Sequence, residues 1–169
     1  MLYQILFTLI KKPMNEFTAK KLGEVIAFMN IGKETFSKTQ AVLEPVLGEG
    51  VFADMAEKCS IYEENIANIV NESGVKETTN EKRDETLKEL RDMRDEYLEH
   101  GWQEASEILE WHGFYFGACM VHFAVIKGAA ETISNELLMM LADEALDAYH
   151  SFLDIVAGEL QTIGQDKAK

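Results

Sequence analysis

Trp102–Ile133 reads WQEASEILEWHGFYFGACMVHFAVIKGAAETI, and its pattern decides the fold. From Ile108 to Ile126 the apolar residues, Trp111, Phe114, Tyr115, Phe116, Val121 and Phe123 among them, cover almost every face of a 3.6-residue period. A helix that is apolar all round belongs at the centre of a bundle or between subunits. Gly113, Gly117, Ala118 and Cys119 would let neighbouring backbones approach it closely. His112 and His122, embedded in an acidic chain, argue against a transmembrane span.

The flanking sequence is helical on both sides. Downstream, Ser134 is a plausible N-cap. Leu138, Leu141, Ala145, Tyr149, Phe152 and Val156 then share one face of a helix expected to end between Gly158 and Ile163, leaving 164–169 as a frayed tail. Upstream, beyond a bend at Gly101, Glu81–His100 is dense in charge, with only Leu87, Leu90, Met93, Tyr97 and Leu98 to bury. It reads as a solvated helix capped by Thr78, Thr79 or Asn80. Val51–Asn71 places Phe52, Met55, Cys59, Tyr62 and Ile66 on one face, and Gly74 stops it. The first long helix runs from Asn15 toward Leu43, with Pro45 and Gly48–Gly50 ending it. Gly32 interrupts it, as a weak point or a place of close approach. No stretch alternates as a strand does. The expectation is an all-α, up-and-down bundle of four to five long helices in a single domain spanning 1–169.

Before Pro13 stands Met1–Ile10, MLYQILFTLI. It is too short to span a bilayer and lacks the basic region and cleavage site of a signal peptide. It reads as a short helix that covers a groove or forms a dimer contact.

The net charge of −14 repels phosphate backbones and anionic lipid, which disfavours nucleic-acid and membrane partners. Only the first forty residues are basic, with six lysines against three glutamates. That local excess is expected to dock against its own chain or a sister subunit. Cys59 and Cys119 sit inside apolar patterns, as free thiols of a reducing, cytoplasmic compartment do.

Two constellations could hold a metal. On the inner faces, Glu63, His112 and Cys119, with Cys59 and His122 near them, offer donors for Zn or Fe. The plainer alternative is a core histidine bonded to Tyr62, Tyr115 or Glu63, beside two inert thiols. On the last helix, Asp143, Asp147, His150 and Asp154 are spaced four, three and four apart. Their Asp-x-x-His element resembles half of the Glu-x-x-His motif of ferritin-like di-iron bundles. This stripe lies opposite the helix's apolar face, so it points to solvent. The likeness to ferritin-like architecture otherwise covers helix count and length alone.

No glycine-rich phosphate loop and no Cys–His catalytic signature is present. Trp102, Trp111, Phe114, Tyr115 and Phe116 could line an apolar pocket, or anchor a dimer, which is the favoured reading. The functional expectation is therefore a non-catalytic, homo-oligomeric interaction module that engages a protein partner, with a dimer favoured. The alternative is a ferritin-like-architecture bundle with a metal ion or small ligand in an internal polar pocket.

Overall fold

Asn15 opens the first helix: its side-chain oxygen accepts the Thr18 N–H at 2.8 Å, satisfying one of the donors that a first turn leaves open. The computed structural model describes residues 13–169, so the apolar run Met1–Ile10 lies outside the described residues. Five helices follow in order: α1 (Glu16–Leu47), α2 (Glu49–Ser73), α3 (Lys76–Tyr97), α4 (Ala105–Ile133) and α5 (Glu136–Lys167). Among the described residues there is no strand.

Several boundaries differ from the sequence reading, each for a local reason. Pro45 does not end α1. It lies in the last turn, where the helix continues past it at the cost of the one hydrogen bond its missing N–H would have made, and the helix stops instead at Gly48, whose φ of +85° also opens α2. Thr78, Thr79 and Asn80 do not cap α3 but lie within it. Thr79 is buried, and its hydroxyl donates to the Ala19 carbonyl at 3.2 Å. Ser134 takes a left-handed conformation that ends α4, and the next residue, Asn135, caps α5 by accepting the Leu138 N–H at 3.1 Å. α5 continues past Ile163 to Lys167.

The helices alternate in direction. Phe36 against Phe52 and Asn30 against Glu63 set α1 and α2 antiparallel. Phe36 against His112 and Phe28 against His122 do the same for α1 and α4. Phe116 against Phe152 and Lys127 against Asp143 do so for α4 and α5. α3 runs parallel to α1, joined by Thr79–Ala19 at one end and by Arg91 and Arg94 on Glu34 at the other.

The centre belongs to α1 rather than to α4, because α1 touches every other helix. Its small residues make this geometrically feasible. A Cβ on Gly23 would run into the Thr79 carbonyl oxygen and lie 3.0 Å from the Arg83 nitrogen, so α3 can approach only a glycine there. Gly32 is likewise a place of close approach, to Tyr115 and Cys59.

Candidate functional site

His112 is 1% exposed, with its ring stacked 4.8 Å from Phe36 at 7° and 5.7 Å from Phe116 at 23°. Neither ring nitrogen has a hydrogen-bond partner among the described residues. Burial pushes its pKa down to about 3, so the imidazole is neutral near pH 7 and leaves one N–H and one lone pair unanswered.

The partners expected for it are engaged elsewhere. The Tyr115 hydroxyl donates to the Phe28 carbonyl at 3.1 Å, and Tyr62 reaches the Glu144 carbonyl at 3.5 Å. Glu63 accepts from Asn30 at 2.7 Å and pairs with Lys33. His112 and Cys119 share α4 but stand two turns apart, about 10 Å along the axis. Glu63, His112 and Cys119 thus do not gather. Among the described residues no group of three or more His, Cys, Asp or Glu could hold a metal ion.

The two cysteines, grouped on the inner faces by the sequence reading, fall in a cluster with Tyr115, Tyr149 and Met29 that it did not assemble. Cys59 Sγ lies 3.3 Å from the Tyr115 hydroxyl and 3.8 Å from that of Tyr149. Tyr149 also lies 3.2 Å from Met29 Sδ, to which it donates. Burial raises the pKa of both thiols, Cys119 above all, so they stay protonated and poorly nucleophilic. All these residues were legible as inner-face positions. Their convergence depends on how four helices pack, and no local spacing encodes that.

The α5 stripe is exposed. Asp143 pairs with Lys127 at 2.6 Å, His150 Nε2 lies 3.7 Å from Asp154, and Asp147 faces solvent. His122 is half-buried, with Nδ1 3.2 Å from Glu24, which also holds Lys21 at 2.7 Å.

The aromatic cluster read from the sequence is dispersed. Tyr115, Phe116 and Trp111 point inward. Trp102 lies beneath Lys38 and Arg94, at 4.7 and 5.4 Å. Phe114 alone turns outward, 64% exposed, with Tyr97 edge-on at 5.6 Å.

Phe114 begins a stripe along the outer face of α4, and Val121, 65% exposed, and Val125 continue it. Gly117, Ala118, Ala124 and Gly128 fill the intervening positions at helical spacing. No charged residue interrupts α4 between Glu110 and Lys127. By length and composition this helix is apolar enough to cross a membrane, yet only 33% of its most apolar window is buried within the chain. Much of that apolar character therefore faces outward, where burial is worth roughly 25 cal/mol per Å² to any partner. Phe17 extends the stripe beyond Gly128, bordering a shallow recess with Ala129 and Thr132. Lys21 lies 5.9 Å over the Phe17 ring, and Lys20 is one residue away, paired with Glu16.

No protein-family model, no curated protein and no solved structure matches the chain.

Proposed function

We propose that this chain is a non-catalytic interaction module that pairs with a second copy of itself through the outer face of α4, in a reducing, cytoplasmic setting, and presents its remaining surface to protein partners. The observation that carries the reading is the stripe Phe114–Val121–Val125, left exposed on a helix face that no charged side chain interrupts between Glu110 and Lys127.

The stripe is self-complementary under a two-fold axis through Val121. Antiparallel pairing sets Phe114 opposite Gly128, Gly117 opposite Val125 and Ala118 opposite Ala124, so Phe114 and Val125 each meet a glycine while Val121 meets its own copy on the axis. The same arrangement brings Lys20 and Lys21, beside Phe17 at one end, toward the exposed Glu107 and Glu110 at the other. Such charges steer encounter and fix orientation. The cysteines support the non-catalytic and reducing parts of the reading: both are free, buried and held protonated.

Sedimentation or light scattering over about 1–100 μM tests this reading. The wild-type chain should be a dimer, and Val121→Glu, at an exposed position, should make it monomeric without loss of helicity. A wild-type monomer across that range, or a Val121→Glu dimer, sinks the reading.

His112 favours a second reading, in which the bundle holds an internal ligand. A buried imidazole with two unanswered nitrogens is costly unless something meets it. A lone histidine does not hold Zn or Fe, so this reading narrows to a small polar molecule. Native mass spectrometry and elemental analysis of the purified chain decide it, because bound content lost in His112→Ala would favour the ligand.

A further inference from the structure

We propose that the groove between α2 and α5 is the docking site of the chain's own residues 1–12, taken from the same molecule. Leu137 and Met140 are 59% and 69% exposed on α5, and with Ile69 of α2 they form an apolar strip. Glu72, Asp143 and Glu144 line the same groove; Asp143 and Glu144 are paired with Lys127 and Lys58, so Glu72 carries the charge that the groove offers to an incoming segment. At one end, Ile69, Glu72 and Leu137 continue into a recess that Pro13 and Met14 also line. The chain therefore arrives at the mouth of the groove at the residue where the apolar run has just ended.

The sequence that arrives there, MLYQILFTLIKK, complements what it meets. Its leucines, isoleucines and Phe7 match the strip, which otherwise stays in water at a cost proportional to its area. Lys11 and Lys12 directly precede Pro13, which shares its recess with Glu72. Reach is no obstacle. From Leu137 to Glu144 the groove extends about 10 Å, and twelve residues cover about 18 Å even at helical rise. Intramolecular docking also gains from a high effective concentration, since no linker separates the segment from the site. A peptide from another protein would have to displace it.

Trypsin cleavage of the 169-residue chain after Lys11 is the test, with circular dichroism to confirm that each variant keeps its helices. Met140→Glu and Leu6→Glu should each speed that cleavage by about tenfold or more. The double variant should be no faster than either alone, because both break one contact. Equal rates in wild type and both single variants overturn the proposal, and so do additive effects. Protection that appears only as protein concentration rises overturns it in favour of a second copy supplying the segment. None of these outcomes bears on the outer face of α4, which lies on a different helix face.

Discussion

The Tyr115 hydroxyl occupies the space that a side chain on Gly32 would need. A Cβ built on Gly32 would overlap the phenol oxygen and lie 2.8 Å from Tyr115 Cζ and 3.0 Å from Cys59 Sγ. That hydroxyl cannot retreat freely, because it donates to the Phe28 carbonyl and contacts Cys59. Gly32→Ala should therefore destabilise the fold by about 2 kcal/mol or more, although alanine favours a helix by about 1 kcal/mol over glycine. Urea denaturation measures this. Tyr115→Phe in the same chain should recover part of the loss, since it removes the oxygen that clashes.

His112 offers the opposite case, a substitution that should stabilise. Phe36 and Phe116 already stack on its ring, and neither nitrogen is bonded. His112→Phe keeps a flat ring in that slot and removes two unanswered polar atoms, for an expected gain of about 1–3 kcal/mol. A loss of stability there would mean that the imidazole has a partner it cannot spare.

The same residue should shape the acid limb of the stability curve. His112 has a folded pKa of about 3 against an ordinary 6.5, so between these values the unfolded chain binds a proton that the folded chain refuses. Stability is unaffected above pH 6.5 and falls as pH drops toward 3, at up to about 1.4 kcal/mol per pH unit. Half-buried His122, its pKa also lowered by burial, contributes in the same direction. The difference between wild type and His112→Phe isolates His112. The variant should lose about 1 kcal/mol less from pH 6.5 to 5.5, and parallel curves would contradict this account.

Arg94 and Arg91 both reach Glu34, but their burial separates them. Arg94 is 2% exposed, holds Asp95 at 2.8 Å and lies over Trp102, so its guanidinium ties α3 to α1 and to the turn before α4. Arg91 has a side chain 47% exposed. Arg94→Ala should cost about 2–4 kcal/mol through lost packing and unpaired partners, whereas Arg91→Ala should cost under about 1 kcal/mol. Equal costs would show that the ion pair to Glu34, rather than burial, sets the value of both.

The number of helices and their apolar faces were legible because period and punctuation are local properties. Gly74 and Asn15 act where they stand. Two kinds of information were not local. Choosing α1 over α4 as the central helix depends on Gly23 and Gly32 letting neighbours approach, and a glycine in sequence does not say what will approach it. The site residues failed for a related reason. Glu63 lies on a face shared with Cys59, yet Lys33 and Asn30 of the neighbouring helix capture its carboxylate before any metal set can form. Thr79 looked like a cap because threonine favours caps, but the Ala19 carbonyl of a different helix claims its hydroxyl.

Gly128 sets intrachain stability against pairing. A Cβ there meets nothing within 4 Å among the described residues, and the residue is exposed within the helix. If the molecule worked alone, Gly128→Ala would stabilise it by about 0.5–1 kcal/mol through helix propensity. In an antiparallel α4 pair, however, Gly128 faces the partner's Phe114, and a methyl group there would hold the two helices apart. The expected result is therefore split: a higher unfolding midpoint at low concentration, where monomers dominate, and a dimer dissociation constant raised about tenfold. Phe114→Ala in the same chain should give back part of the lost affinity, because the added methyl would then meet a small residue. An unchanged dissociation constant in Gly128→Ala would remove Phe114 from that position, and with it the two-fold axis through Val121.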